Sequence, residues 1–305
     1  MTRGESNLSQ SVRQRLLNLS RETGQDYNRL LVRYALERLL YRLSRSDHAD
    51  RFILKGAMLF AVWSRQQYRA TQDLDLLGTG GHSTAELEQV FREIVQTETD
   101  HPDAMAYDAE SVTAEVIRED MAYEGVRVRM ESQLGNARLP LIIDIGFGDA
   151  ITPTPDETEF PVLLDAPKPK IRSYPRETVI AEKLEAMVIL GNANSRMKDF
   201  ADIWYLAQHF DFEGQTLCDA VAGTFQRRGT EVPARPVAFS HEFARREDKQ
   251  AQWAAFNRRA APTGIPADFA EAVAGIASFL GPILDHLAGG SAQPQVWQAG
   301  GPWQF

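Results

Sequence analysis

The chain has little of several residue types on which whole classes of protein depend. Its 305 residues include a single cysteine, Cys218, which excludes an internal disulfide and a cysteine-rich zinc site. The six histidines are scattered along the sequence, so a histidine-based metal hydrolase is disfavoured. Cys218 is most simply a small apolar core residue.

Long apolar runs are also missing. No run approaches the roughly 18 residues that a membrane span needs, and residues 1–10 are polar, without the apolar segment of a secretory signal. We therefore expect a cytoplasmic protein with no membrane partner. Its length suffices for one large domain or two modest ones.

Charge is unevenly distributed along the sequence. The net charge is −9, which is unfavourable for nucleic-acid binding. However, residues 1–55 carry +5 and residues 225–260 carry +4, whereas residues 56–164 carry −13. A polyanion could bind the basic flanks while a metal neutralises the acidic centre. Solvated helix faces are the alternative explanation for any single arginine.

The acidic centre contains an Asp-x-Asp motif. Period-two geometry places Asp73 and Asp75 on one face of a strand and Leu74 and Leu76 on the other. Neighbouring carboxylates repel each other unless a cation lies between them, and a divalent metal with oxygen ligands is the usual solution. A glycine turn at Gly56 would let the backbone approach a triphosphate. This combination is what a nucleotidyltransferase needs, although an Asp-x-Asp motif alone is common on half-exposed strands.

A third carboxylate strengthens the metal hypothesis. Asp144 lies in an almost continuously apolar run, residues 139–147, which predicts a central strand. An unpaired carboxylate would be costly to bury there. A metal shared with the Asp-x-Asp motif would supply a partner, and a salt bridge to Arg127 or Arg129 is the alternative.

Hydrophobic periodicity predicts a small mixed sheet with helices, followed by a helical segment. In the first part we expect helices within residues 11–44, 57–65 and 84–98, and strands at 52–56, 72–77, 112–118, 125–132 and 139–147. The proline-rich stretch 151–170 is expected to be extended and to mark a domain boundary. Further helices are expected at about 176–190, 196–210, 215–227, 241–259 and 266–287.

Two of the later helices carry charge on their apolar sides. Lys183 lies among apolar residues such as Leu184 and Met187 on a helical wheel, so it either snorkels outwards or, as we favour, points into a cleft where its charge suits a triphosphate. On the next helix, Asp199 and Asp202 share one face. These buried carboxylates need cations, for which Lys183 and Arg196 are candidates. A structural ion-pair network would explain the pattern too, and it is compatible with a catalytic role.

In this order the motifs resemble the AbiEii/AbiGii-type nucleotidyltransferase toxins of the polymerase-beta-like nucleotidyltransferase superfamily. The resemblance extends from about residue 11 to residue 210. Its motifs are Phe-Ile-Leu-Lys-Gly at 52–56, Arg69-x-Thr71-x-Asp73-x-Asp75, Asp144 on its strand, Glu182-Lys183-Leu184, and Arg196-x-Lys198-Asp199-x-x-Asp202. Many superfamily members have Gly-Ser or Gly-Gly where this chain has Gly56-Ala57; the alanine removes a hydroxyl contact to phosphate but no backbone donor.

The resemblance implies a mixed α/β (α+β) fold with two lobes. A helical lead-in at residues 1–50 would precede a nucleotidyltransferase core with a small mixed sheet at 51–165. A C-terminal helical lobe would occupy residues 170–290. The Gly/Gln/Pro-rich tail, residues 291–305, would be loose apart from the docking of Trp297 and Trp303.

The resemblance also implies an activity. A nucleoside monophosphate would pass from an NTP to an acceptor, with Mg²⁺ or Mn²⁺ as cofactor and pyrophosphate as product. In relatives the acceptor is often the 3′ end of tRNA, which blocks charging and stops growth, and an antitoxin encoded nearby restrains the toxin. The alternatives are transfer to a protein hydroxyl and a catalytically idle nucleotide-binding partner protein.

Under this interpretation each motif has a role. Candidate metal ligands are Asp73, Asp75 and Asp144. Lys183 would neutralise triphosphate or pyrophosphate charge, and either Asp199 or Asp202 would orient it or contact the base or sugar. Further nucleotide-binding candidates are Lys55, Gly56, Ala57, Arg69, Thr71 and Arg196. The sequence identifies neither the NTP nor the acceptor.

Overall fold

The computed structural model describes residues 3–64, 71–120, 123–260, 264–290 and 292–305. The chain divides into two compact units. Unit 1 comprises Met1–Gly148 and Asp156–Ser173, and unit 2 comprises Asp149–Pro155 and Tyr174–Phe305. The chain therefore enters unit 2 briefly, returns to unit 1, and enters unit 2 again at Tyr174.

Unit 1 combines helices with a sheet. Its helices are α1 (Arg3–Thr23), α2 (Tyr27–Arg45), α3 (Leu59–Trp63) and α4 (Thr84–Gln96). Its strands are β1 (Phe52–Lys55), β2 (Asp73–Gly78), β3 (Met105–Tyr107), β4 (Thr113–Asp120), β5 (Tyr123–Leu134), β6 (Ala137–Phe147), β7 (Asp156–Glu159) and β8 (Lys170–Ser173). The helices and longer strands lie where periodicity predicted them.

Side-chain caps define where two of these helices begin. The Asp26 carboxylate accepts a hydrogen bond from the Arg29 amide at 2.9 Å at the start of α2. The Ser83 hydroxyl accepts one from the Glu86 amide at 3.3 Å at the start of α4. Each cap satisfies an amide that has no partner within the helix.

The described strands of unit 1 form one mixed sheet, as predicted. Its order is β3-β5-β6-β2-β1-β8-β7, and β4 also pairs with β5. The pairs β2–β6 and β1–β8 are parallel, whereas β1–β2 and β5–β6 are antiparallel. Strands β3, β7 and β8 were not predicted from the sequence because three or four residues are too few to show alternation. Strand β1 is as short, but its apolar Phe-Ile-Leu run indicated it.

The two faces of the sheet differ in chemistry. One face carries buried apolar side chains, among them Leu54, Leu76 and Ile145, which lie side by side on β1, β2 and β6. Helices α2 and α4 contact strands of this sheet and each other. The opposite face carries the charged residues of the predicted motifs.

Unit 2 is mainly helical. Its elements are α5 (Arg176–Leu190), α6 (Met197–His209), β9 (Phe212–Glu213), α7 (Gly214–Arg228), α8 (His241–Arg245), α9 (Glu247–Ala260), α10 (Phe269–Leu287), β10 (Val296–Trp297) and β11 (Trp303–Gln304). The helix predicted at 241–259 is two helices that meet at Arg246. No helix within the described ranges of the chain is long and apolar enough to cross a membrane.

The tail packs against unit 2 instead of remaining loose. Strands β9, β10 and β11 form a small antiparallel sheet. Trp297 and Trp303 are both buried, and their indole N–H groups donate to the carbonyls of Ala207 at 2.7 Å and Phe279 at 2.6 Å. The predicted docking of the two tryptophans therefore holds the tail in place.

Candidate active site

Four charged residues form a line across the sheet of unit 1. Strand register places Lys55 opposite Asp75, Asp75 opposite Asp144, and Asp144 opposite Arg127. Directly opposed residues project from the same face of a sheet. These four residues, which we call the charged row, thus place two adjacent anions between two cations over strands β1, β2, β6 and β5.

The Asp-x-Asp motif has the alternation that its sequence predicted. Leu74 and Leu76 are buried on the apolar face, whereas Asp73 is exposed and Asp75 is half-buried on the charged face. The Thr71 hydroxyl and the Asp73 backbone lie within hydrogen-bond distance at the start of β2. Asp73 therefore lies two residues along the strand from the charged row and on the same side.

Asp144 makes a two-pronged ion pair with Arg127. The Arg127 Nε–H donates to Oδ1 and its Nη2–H donates to Oδ2, each at 2.7 Å. This hydrogen bonding to Asp144 raises the pKa of Arg127, although partial burial acts in the opposite direction. Arg129, the other predicted partner, instead pairs with Glu115 at 2.8 Å. The salt bridge that the sequence offered as an alternative to a metal is thus present, with Arg127.

A two-residue turn explains why Arg127 is the partner. Strands β5 and β6 are joined by Gly135 and Asn136, with Leu134 opposite Ala137, and Gly135 has a φ of 64°. This turn length fixes the register of the whole hairpin. Counting back from the turn places residue 127 opposite residue 144, so the Gly-Asn signal could have decided between Arg127 and Arg129, which the sequence analysis left open.

Glycine is the only residue type that fits at position 56, beside Asp75. It lies at a φ of 73°, which disfavours residues with a side chain. A Cβ atom at this position would also overlap the Asp75 carboxylate. The predicted helix after Gly56 begins as a single 3₁₀ turn, Gly56–Met58, and continues as the short α3. Lys55 precedes it as the last residue of β1 and is buried.

The three aspartates are of a residue type that binds divalent cations, and they lie on one face of the sheet. Asp75 and Asp144 are opposed on adjacent strands, Asp73 shares their face, and carboxylate oxygens are the ligands that Mg²⁺ and Mn²⁺ prefer. Within the described part of the chain, however, no group of three or more His, Cys, Asp or Glu side chains is arranged to hold a metal. Both oxygens of Asp144 are turned to Arg127 instead.

Unit 2 contains its own charged cluster. The Lys183 ammonium lies 2.7 Å from Asp199 and 2.9 Å from Asp202, and the Arg196 Nε lies 2.6 Å from Asp199. Both carboxylates are completely buried. Burial alone would raise the pKa of Asp199, but the charges of Lys183 and Arg196 outweigh it and lower the pKa. The ion-pair network, which the sequence offered as an alternative compatible with a catalytic role, is therefore present, whereas the favoured role of Lys183 in a phosphate-binding cleft stays a prediction.

A second buried network in unit 2 was not predicted. Arg228 on α7 lies 3.0 Å from Asp149 and 2.9 Å from Glu185, and the Thr230 hydroxyl donates to Glu185 at 2.7 Å. These residues are far apart in sequence and no local pattern connects them. The network fixes Asp149, which follows β6 after a single glycine, to α5 and α7 within unit 2.

The candidate residues are thus divided between the two units. Lys55, Gly56, Ala57, Thr71, Asp73, Asp75 and Asp144 belong to unit 1, and Lys183, Arg196, Asp199 and Asp202 belong to unit 2. Arg69 lies outside the described residues. The roles of these residues in catalysis and nucleotide binding stay predictions.

Comparison with known proteins gives a family match and a fold match. Residues 38–275 match the family described as nucleotidyl transferase AbiEii toxin, type IV toxin–antitoxin system. A crystal structure of a candidate nucleotidyltransferase from Helicobacter pylori superposes with a TM-score of 0.50 and 12% identity over 86% of this chain and 99% of that one. That of JHP933 from Helicobacter pylori gives a TM-score of 0.47 and 15% identity over 85% and 95%. No curated protein matches the chain. At 12% identity, the first structural similarity shows a shared fold.

Proposed function

The chain belongs to the AbiEii family of nucleotidyl transferase toxins of type IV toxin–antitoxin systems, and from this premise we propose that it transfers a nucleoside monophosphate from an NTP to the 3′ end of tRNA. A tRNA extended in this way cannot be charged, so translation and growth would stop. A cognate antitoxin encoded nearby would restrain the activity in the cytoplasm.

The observation that carries the proposal is the placement of three carboxylates on one face of the sheet. Asp75 and Asp144 are opposed in register, and Asp73 lies two residues from Asp75 on the same strand. Gly56 leaves room for the Asp75 carboxylate, because a Cβ there would overlap it. This arrangement supports Asp73, Asp75 and Asp144 as ligands of Mg²⁺ or Mn²⁺.

The proposed reaction is substitution at the α-phosphorus. A hydroxyl oxygen of the acceptor forms a bond to the α-phosphorus, the bond from that phosphorus to the bridging β-phosphate oxygen breaks, and pyrophosphate leaves. The hydroxyl proton passes to solvent. Bound divalent metal would favour deprotonation of the hydroxyl and neutralise charge that develops on the leaving group. Asp144 is proposed to complete the metal site nearer to the acceptor, and Asp73 and Asp75 to hold both metals.

The basic residues are proposed to bind the phosphates. Lys55 and the amides that follow Gly56 would position the β- and γ-phosphates. For Lys183 we propose neutralisation of triphosphate or pyrophosphate charge. Its contacts with Asp199 at 2.7 Å and Asp202 at 2.9 Å restrict the position of its ammonium.

The test is transfer of label from nucleotide to RNA. Purified protein would be incubated with Mg²⁺, total RNA and each labelled NTP in turn, beside Asp73→Ala and the control Asp156→Ala, which changes an exposed aspartate on β7. We expect label on a tRNA-sized band with the wild type and the control, and none with Asp73→Ala, whose fold should remain intact.

Other outcomes would change the conclusion. Label on protein instead of RNA would favour the protein-modifying alternative. NTP binding without transfer to any acceptor would favour an idle nucleotide-binding protein. Transfer by Asp73→Ala at the wild-type rate would contradict the metal role of Asp73.

A further inference from the structure

We propose that Arg127 is a built-in competitor for the divalent cation: it occupies Asp144 in the metal-free protein and must release it before Asp144 can bind metal. This inference rests on the proposed function, because it requires a cation at the charged row. Arg127 would thereby control the metal affinity, and therefore the fraction of protein molecules that are competent for transfer.

The ion pair engages the whole Asp144 carboxylate. Both Asp144 oxygens accept hydrogen bonds from Arg127 at 2.7 Å. The carboxylate is buried, with 11% of the side chain exposed. Since a guanidinium fork takes both oxygens at once, a cation approaching from the Asp75 side meets oxygens that are already engaged. At least one of these two hydrogen bonds must break for Asp144 to join a metal site.

The positive charge of Arg127 also opposes a cation at Asp144. A guanidinium is always protonated in proteins, and strand register keeps Arg127 directly opposite Asp144. A divalent cation bound by Asp144 would therefore lie beside a second positive charge on a partly buried face, where repulsion is only weakly screened. Arg127 thus opposes metal binding both through the oxygens it occupies and through its charge.

Arg127 has another partner within reach. Its side chain is 32% exposed, so it has room to swing away from the sheet. Glu115 lies directly opposite Arg127 on β4 and is exposed. It already pairs with Arg129 at 2.8 Å. Glu115 can therefore accept Arg127 when a cation takes Asp144, which makes the exchange reversible.

The test measures metal binding without nucleotide, RNA or activity. The free Mn²⁺ signal in electron paramagnetic resonance would give the Mn²⁺ affinity of the wild type and of Arg127→Gln. Because hydrogen bonds between charged groups are among the strongest in proteins, we expect Arg127→Gln to bind Mn²⁺ about tenfold more tightly or better. The matched control is Arg138→Gln, which removes the same charge from the same face at an exposed position of β6, six residues from Asp144 and away from Glu115, and should change the affinity by less than about twofold.

Two further variants separate the possible results. If the cation lies at the charged row, Asp75→Asn should weaken Mn²⁺ binding both in the wild type and in Arg127→Gln. Arg127→Lys keeps the charge but loses the two-pronged contact, so its affinity should lie between those of the wild type and Arg127→Gln. This variant also provides the test if Arg127→Gln does not fold, as judged by its thermal unfolding curve.

These measurements distinguish failure of the proposed competition from failure of the proposed metal site. If Asp75→Asn loses Mn²⁺ but Arg127→Gln and Arg127→Lys bind it no better than the wild type, the metal site stands and the competition is refuted. An equal gain in Arg127→Gln and Arg138→Gln would also refute it, because the effect would then be one of net charge alone. If Asp75→Asn binds Mn²⁺ like the wild type, or no variant binds it, the proposed metal site itself is wrong.

Discussion

Gly56 shows how one residue can be constrained twice. Its backbone lies in the left-handed region, at a φ of 73°, where a side chain costs about 1–2 kcal/mol. In addition, its Cα faces the Asp75 carboxylate so closely that a Cβ would overlap the side chain. Backbone conformation and the candidate site therefore require glycine at the same position.

This double constraint predicts that Gly56→Ala is more harmful than another glycine substitution with the same backbone angle. Gly24 has a φ of 72°, and a Cβ added there would have no atom within 4 Å, so Gly24→Ala should lower the free energy of unfolding by about 1 kcal/mol. We expect Gly56→Ala to lower it by about 3 kcal/mol or more and to abolish transfer. Urea unfolding measures both; equal losses would mean that Asp75 moves aside without penalty.

Glu37 is a buried acid whose environment makes stability depend on pH. Its carboxylate accepts hydrogen bonds from the Arg33 Nε–H and from the Leu163 amide, each at 3.0 Å. Burial nevertheless raises the pKa of Glu37 to about 7, because the nearby Arg33 charge compensates only in part. Folded protein therefore binds this proton more tightly than unfolded protein, whose carboxyl has an ordinary pKa of 4.5.

The sign of the effect follows from linkage. The protonated form stabilises the fold, so this contribution is complete below pH 4.5 and is lost as pH rises through about 7. Relative to Glu37→Gln, which does not titrate, we expect the wild type to lose roughly 2–3 kcal/mol of stability between about pH 5 and pH 8. Urea unfolding of both proteins at the two pH values measures this difference. A constant difference would show that Glu37 titrates normally.

At the scale of elements, α5 and α6 are joined by charge as well as by apolar packing. Lys183 on α5 lies between Asp199 and Asp202 on α6, and both carboxylates are completely buried. Such clusters contribute modestly when intact, but removing one member leaves a buried charge without compensation. The alignment of these two helices therefore depends on Lys183.

Replacing the lysine tests this dependence. Lys183→Met retains much of the length of the side chain but leaves Asp202 without its Lys183 contact, so we expect a loss of about 3–5 kcal/mol in the free energy of unfolding. Lys198→Met, an exposed lysine on α6, should change stability by less than about 0.5 kcal/mol. Adding Asp202→Asn to Lys183→Met should restore part of the loss. If it restores nothing, the lysine acts through packing and not through charge.

At the scale of the whole molecule, the end of the chain completes unit 2. Trp303 is buried, its ring stacks on Phe279 with 5.8 Å between centroids, and its indole donates to the Phe279 carbonyl at 2.6 Å. Trp297 packs against the same ring. A segment with loop-like composition thus contributes two large side chains to the core of a helical unit.

Truncating this anchor should therefore destabilise unit 2. We expect Trp303→Ala to lower the free energy of unfolding by about 3–5 kcal/mol. Phe305→Ala, two residues later and 65% exposed, should change it by less than about 0.5 kcal/mol. Urea unfolding followed by the circular dichroism of the helices measures both effects, because unit 2 is mainly helical. Similar effects of the two substitutions would indicate that the tail adds little to the core.

Much of the molecule was predictable because the signals were local. Alternation identified β2 with Asp73 and Asp75 on one face, and the apolar run around Asp144 identified a central strand. Helical periodicity placed Lys183, Asp199 and Asp202 on buried stripes that needed opposite charges. The turn at residues 135–136 even fixed the partner of Asp144, although finding it required counting along the hairpin.

Tertiary structure decided what local patterns do not encode. The alignment of Asp75 with Asp144 depends on the register of two parallel strands between which α4 and three other strands intervene, and no turn connects them directly. The pairing of Arg228 with Asp149, like the burial of Trp303 in unit 2, joins distant segments. The sequence by itself determined the elements and the residue types of the candidate site, because propensity and periodicity act over a few residues. Outside the β5–β6 hairpin, which charges face one another was decided by packing of the apolar face, since that packing sets the register.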